Sequence, residues 1–125
     1  MDILLDSWAI IELFRGTKEG ARVHELLKQN PLAYTTVLNL YEVHYRIQMG
    51  EGEREAQQVT DFVESRLNVL NIDRALALAA SELHAKEKLG TVDAFSLAAA
   101  RCKNATLVTG DPDFKHTPGV TYLGK

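Results

Sequence analysis

Cysteine is almost absent from this chain. The lone Cys102 has no partner for an internal disulfide, and without a second thiolate there is no CxxC redox or metal pair, so a reducing, cytoplasmic setting is expected. Long apolar runs are missing as well. Nowhere do about 18 consecutive apolar residues occur, and no membrane-spanning helix is expected. The opening MDILLDSW carries Asp2 where a signal peptide would be positive, and Asp6 interrupts its short apolar stretch, so no secretion signal is expected. An excess of positive charge is also lacking. Lys and Arg number 14 against 17 Asp and Glu, a formal net charge of −3, which excludes bulk attraction of a polyanion and leaves any nucleic-acid role to local patches or a bound cation. No repeat, low-complexity tract or linker interrupts the chain.

At 125 residues, 46% hydrophobic and 25% charged, the chain has room for one domain, residues 1–125, with a core of ordinary size. Ile3, Leu4 and Leu5 predict a short strand ended by Asp6, with Ser7 as N-cap of a helix that stops at Gly16 in a left-handed cap. Thr17 caps a second helix, whose stripe of Val23, Leu26 and Leu27 runs to the break at Asn30 and Pro31. Leu32 to Thr35 is β-prone, 36–49 is helical, and a fourth helix carries Val59, Phe62 and Val63. After a strand candidate at 67–72, Asp73 caps a long helix to Lys88, its inward stripe Leu76, Ala79, Ala80 and Leu83, with Gly90 as its C-cap signal. Thr91 caps a sixth helix over about Val92 to Lys103. Thr106 to Thr109 is a β-branched run closed by the turn Gly110-Asp111-Pro112-Asp113, and Val120 to Leu123 is a last strand. Strands alternating with helices imply parallel pairing, hence an α/β three-layer sandwich in which a short parallel sheet of about four or five strands is flanked by helices.

Most acids fall on solvated helix faces, among them Glu51, Glu53, Glu55, Glu64, Glu82 and Glu87. Glu42 does not. It shares a helical face with Leu38, Tyr45 and Met49, so a carboxylate lies on an apolar stripe, where it needs a cation, a donor network or a raised pKa. The alternative is an edge position with Arg46 at i+4 as its partner. Asp93 stands in the first turn of the sixth helix, aligned with Leu97 and Ala100, where the helix dipole alone would favour it. Asp6 and Asp111 both end strands, and in a parallel sheet those ends share the edge where open α/β folds place ligands. Capping explains Asp6, and turn geometry Asp111 and Asp113, equally well. Whether Asp93 reaches that edge depends on how the fifth and sixth helices run, which periodicity leaves open.

The strings LLDSWAIIELF with Asp6, TTVLNLYEVHYRI with Thr36 and Glu42, TVDAFSLAAA with Asp93, and LVTGDPDF with Thr109, Asp111 and Asp113 together resemble the PIN domain family, in the small single-domain form of VapC-type toxins. The likeness covers essentially the whole chain. It implies a PIN-like sandwich whose acids converge on one pocket, and a metal-dependent endoribonuclease acting as the toxin of a type II toxin–antitoxin system. A small antitoxin partner and a homodimer are implied too. Trp8 departs from the family pattern, standing where many relatives carry a small polar residue, and Lys88-Leu89-Gly90-Thr91-Val92 lacks the polar or proline-bearing approach often found before the third acid.

Several carboxylates in one pocket repel each other, and a hard divalent cation, Mg²⁺ or Mn²⁺, relieves this. The scarcity of Cys and the scattered His24, His44, His84 and His116 argue against zinc. The expected metal ligands are Asp6, Asp93, Asp111 and Asp113, and the expected catalytic set is Asp6, Glu42, Asp93 and Asp111. Thr109 and Thr36 are expected to support them from behind. Such a site would lower the pKa of a bound water for attack on an RNA phosphodiester. Phosphate contacts are expected among Arg15, Arg46, Lys88, Arg101, Lys115 and His116, with solvated surface charge as the alternative for each. Cys102 and Trp8 are expected to pack. Two other readings remain: a PIN-like domain that only binds RNA or protein, and a receiver-like phosphoacceptor. The latter is poorly matched, because Asn71-Ile72-Asp73 fits poorly the Asp acceptor needed at the end of a central third strand and Lys125 lies beyond the last strand.

Overall fold

Three residues suffice for the central strand because both of its faces are covered. In β1 (Ile3–Leu5), Ile3 and Leu5 pack into one apolar cluster and Leu4 into another, the alternation a strand imposes on its side chains. A computed structural model describes residues 2–125, so Met1 of the expected 1–125 domain lies outside the described residues. Its other strands are β2 (Ala33–Thr36), β3 (Asn68–Leu70), β4 (Thr106–Thr109) and β5 (Val120–Tyr122). They form one sheet in the order β3-β2-β1-β4-β5. Every neighbouring pair is parallel.

Six helices flank the sheet: α1 (Ser7–Arg15), α2 (Lys18–Gln29), α3 (Val37–Glu51), α4 (Glu53–Arg66), α5 (Arg74–Glu87) and α6 (Thr91–Cys102). The cluster on one face draws on α1 to α4 through Ile10, Val23, Val43, Ile47, Val59 and Val63. The opposite cluster draws on α5 and α6 through Ala80, Ala94, Leu97 and Ala98, with Phe114 from the short 3₁₀ turn at Pro112–Phe114. The three layers are thus four helices, sheet, two helices. Arg66 fastens the first layer, its guanidinium donating to the carbonyls of Leu27 (2.6 Å), Asn30 (3.1 Å) and Pro31 (3.2 Å) at the end of α2. No helix among the described residues is long and apolar enough to cross a membrane.

Several local expectations shift. Asp6, not Ser7, is the N-cap of α1. Lys88 takes the left-handed conformation (φ 56°) at the end of α5, and Gly90 begins α6 as its N-cap instead of closing α5. Thr91 is therefore inside α6 and Asp93 is its third residue. Gly16 behaves as expected, at φ 66°. Phe62 and Ala79 turn outward from their predicted stripes, and Cys102 is exposed instead of packed.

Leu4 of β1 is fully buried in the cluster between the sheet and α5–α6, which also holds Leu97, Leu107 and Phe114. Leu4→Ala should lower unfolding free energy by about 2–5 kcal/mol, read by urea denaturation. A loss below about 0.5 kcal/mol would show that this layer is loosely packed.

Candidate metal centre

The site starts where β1 hands over to α1. The backbone N–H of Asp6 continues the β1–β4 ladder by donating to the Val108 carbonyl (3.3 Å), and its carboxylate accepts from the Ala9 N–H (2.9 Å) as the helix cap. It is 3% exposed. Burial raises its carboxyl from 3.8 to about 7, against the lowering effect of hydrogen bonds from the Thr109 hydroxyl and the Ala9 N–H and with the help of the Asp111 and Glu42 charges. Thr109 ends β4 and also accepts from the Asp111 N–H (3.1 Å). One hydroxyl therefore sets both the Asp6 side chain and the chain leading to Asp111. Asp111 in turn accepts from the Asp113 N–H (2.9 Å) as the cap of the 3₁₀ turn.

The position of Asp93 answers what periodicity left open. Leu70, Asn71, Asp73 and Leu76 share a cleft with Cys102 and Lys103 at the far end of α6, so the chain turns back directly after β3. α5 and α6 then pack as an antiparallel pair. α6 consequently begins at the carboxyl edge and ends where β4 starts. Carboxylate oxygens of Asp93, Asp111 and Asp113 lie within 4.8 Å of one another. Partial burial, then the charges of Asp111 and Asp6, a hydrogen bond with Asp111 and the charge of Glu42 lift the Asp93 carboxyl from 3.8 to about 7. Asp6, Glu42, Asp93 and Asp111 line one cavity of about 270 Å³ together with Ser7, Trp8, Arg46, Gly90, Thr91 and Val92.

Glu42 reaches this cavity by a route the stripe argument missed. The buried face of α3 is Asn39, Val43 and Ile47, whereas Tyr45 and Met49, expected to share an apolar face with Glu42, are 55% and 72% exposed. Glu42 sits beside that buried face, half-buried, with Arg46 3.5 Å away. The edge position paired with Arg46 at i+4 is the one the structure realises, and from there Glu42 lines the cavity beside the three aspartates.

Beneath the acids lies a buried amide. Asn39 accepts from the hydroxyls of Ser7 (2.9 Å) and Ser96 (3.1 Å), and its own Nδ2 donates to Thr36 Oγ1 (3.0 Å). Thr36 also caps α3 by accepting from the Asn39 N–H (3.2 Å). This ties α1, α3 and α6, the helices carrying or flanking Asp6, Glu42 and Asp93. Ser7, Asn39 and Ser96 were missed from sequence. The signal was present for Asn39, a polar residue in the i, i+4, i+8 series with Val43 and Ile47.

Of the basic residues, the structure brings Arg46 to the cavity. Lys88 is exposed two residues before Gly90 of its wall, and Lys115 and His116 are exposed just past Phe114. Arg15 is turned to Glu51 (3.3 Å). Arg101 lies eight residues beyond Asp93 in α6, about 12 Å along the axis, at the opposite end from the acids. His24 and His84 are exposed, and His44 is half-buried with Nδ1 2.7 Å from the Thr60 hydroxyl.

The donor set fits a hard divalent cation. Asp93, Asp111 and Asp113 bring carboxylate oxygens together with Asp6 lining the adjoining cavity, and burial and repulsion raise the Asp6 and Asp93 carboxyls to about 7, the strain that a cation removes.

Five parallel strands flanked by six helices, with acids gathered at the carboxyl edge, define the PIN fold. The PIN domain family model matches residues 3–120, and the chain belongs to the PIN domain family. Among solved structures it is similar to a chain of a toxin–antitoxin complex from Klebsiella pneumoniae, 27% identical with TM-score 0.82 over 98% of both chains. VapBC2 from Rickettsia felis bound to a DNA fragment from their promoter is 22% identical, with TM-score 0.77 over 98% of this chain and 97% of that one. VapC20 of Mycobacterium tuberculosis, a sarcin-ricin loop cleaving toxin, is 21% identical, with TM-score 0.77 over 94% and 96%. No curated protein matches.

The raised carboxyls make a pH prediction. In metal-free protein Asp6 keeps its proton in the folded chain up to about pH 7 but loses it from 3.8 when unfolded, so its stabilising contribution is full at low pH and is lost as pH rises across that window. Asp6→Asn retains a capping oxygen and cannot ionise. Its stability relative to the unmodified chain should therefore rise steadily between about pH 4 and 7, read by urea unfolding in EDTA. A difference that is the same at every pH would remove Asp6 as the source.

Proposed function

We propose that this chain is a divalent-metal-dependent endoribonuclease and the toxin of a type II toxin–antitoxin pair. The observation that carries the reading is the meeting of Asp6, Asp93 and Asp111 at one cavity with Glu42 on its wall. Asp6, Asp93, Asp111 and Asp113 would hold Mg²⁺ or Mn²⁺, the hard ions that oxygen donors suit. A bound ion of this kind supplies Lewis acidity toward water and toward phosphoryl oxygens.

The chain's own residues do the rest. Thr109 fixes the orientation of Asp6 and the approach to Asp111, as groups behind metal ligands do. Glu42, steadied by Arg46, orients the attacking water and accepts its proton as the oxygen–phosphorus bond forms and the bond to the leaving oxygen breaks. Arg46 then faces the phosphate from the cavity wall. Thr36 acts through Asn39, holding α3 and with it Glu42 in register.

RNA as substrate is supported by the membership in the PIN family and by the Mycobacterium relative described as a sarcin-ricin loop cleaving toxin. An antitoxin partner follows from the Klebsiella relative, a component of a toxin–antitoxin complex. A homodimer and a cytoplasmic location complete the proposal.

Structured RNA should be cut in Mg²⁺ or Mn²⁺. EDTA should stop the reaction, as should Asp93→Asn at unchanged circular dichroism, and Thr109→Val should weaken metal affinity by roughly 10- to 100-fold. Binding of RNA without any cleavage would leave a non-catalytic PIN domain, and cleavage that survives Asp93→Asn would trace to a contaminant. Toxin status has a separate test. Co-expression with the small DNA-binding protein of a neighbouring reading frame should suppress cleavage and growth arrest; unchanged activity in that complex would end the toxin reading.

A further inference from the structure

Trp8 is the one large aromatic at the acidic cavity, and its setting differs from that of a core tryptophan. It occupies the second position of α1, directly after the Asp6 cap and Ser7. It is half-buried, packed at the margin of the α1–α4 cluster. On one side it is backed by the chain itself. A Cβ at Gly110 would lie 2.2, 2.4 and 2.5 Å from the consecutive indole atoms Cζ2, Cε2 and Cη2. Near-equal distances to three atoms in a row place that position over the face of the six-membered ring and not at its edge. Gly110 is the residue between Thr109 and Asp111, so the turn that delivers Asp111 also supports the indole. A side chain at 110 would drive the ring from its place, which is why glycine is needed there.

The indole is thus a flat apolar surface, supported from behind, beside four carboxylates and one arginine. An apolar plane at the edge of a phosphate-handling pocket matches a nucleotide, which presents a charged phosphate and a flat base a short chain apart. The cavity, at about 270 Å³, lies near the low end of the roughly 300–1,000 Å³ typical of small-molecule sites. Inside an A-form helix both faces of each base are taken by its neighbours, and only a splayed base can stack on a side chain.

We propose that Trp8 is a stacking platform for one unpaired nucleobase next to the phosphate at the acidic centre. The assignment rests on the nuclease reading for the class of ligand. It adds to that reading the residue that holds the base beside the phosphate, and the turn at Gly110 that supports it. Arg46, on the same cavity, offers the cationic contact to the sugar–phosphate chain of that nucleotide.

Trp8 is the only tryptophan in the chain, so indole emission reports this position alone. The probe is a six-nucleotide oligoadenylate, with a long blunt-ended G·C-rich RNA duplex as the paired form, each mixed in Mg²⁺ by stopped flow so that binding is read before turnover. The unpaired oligomer should quench the emission and the duplex should not. In a fluorescence-anisotropy titration with end-labelled oligoadenylate, Trp8→Ala should weaken binding by roughly 5- to 150-fold, the range for losing one base stack, and Trp8→Tyr should restore most of it. Quenching by duplex as strong as by single strand, or a folded Trp8→Ala that binds as the unmodified chain does, would overturn the proposal. If Trp8→Ala fails to fold, quenching in the unmodified chain and the affinity of Trp8→Tyr decide it. The two readings fail separately. RNA that quenches but is never cut refutes the nuclease and keeps the platform, whereas RNA cut equally by Trp8→Ala refutes the platform and keeps the nuclease.

Discussion

A carboxylate at the carboxyl edge of the central strand, almost sealed from water, is the constraint around which the rest of the molecule is arranged. Asp6 is 3% exposed, and a charge in that position is costly unless donors or a counter-ion meet it. Its two donors come from distant parts of the chain: the Ala9 N–H from the helix it caps, and the Thr109 hydroxyl from the end of the adjacent strand. These do not offset burial, and the proximity of Asp111 and Glu42 moves the balance further toward protonation. The fold has gathered groups that oppose one another in the absence of a cation, which is how a functional site departs from the consistency expected of a purely structural core.

That opposition is contained by the polar layer underneath. Asn39 satisfies Ser7, Ser96 and Thr36 at once, and no buried side-chain polar atom among the described residues lacks a partner. Being neutral and fully bonded, this layer avoids the desolvation cost that more charge would add, and it fixes the relative positions of three helices whose acids repel each other. The apolar clusters on either side of the sheet supply the cohesion, and the amide network supplies the register.

Legibility from sequence followed the physics of each element. Strand ends, the Gly16 stop and the α/β class were legible because they depend on local periodicity and local backbone preference. The acids at Asp6 and Asp111 were legible as a pair because a parallel sheet puts strand ends on one edge whatever else the chain does. Asp93 was not, since its place depends on the chain reversing after Leu70, a tertiary event with no local signature. The buried face of α3 was misjudged because Tyr45 and Met49 look apolar on a helical wheel, while the residue that belongs to that face is the polar Asn39. The start of α6 moved by one residue because a left-handed Lys88 closes α5 where Gly90 seemed the natural candidate.

The strand order has a consequence for biosynthesis. Chains emerge from the ribosome amino-terminal part first, and β1, β2 and β3 can associate as soon as they are made. The other edge of β1, however, stays open until β4, at 106–109, slides in beside it. Only then do Thr109 and Asp111 arrive next to Asp6. A nascent chain carries its first acid long before the strand that brings Thr109 and Asp111 to it, so the acids of the cavity can meet only once residues 106–111 have been made.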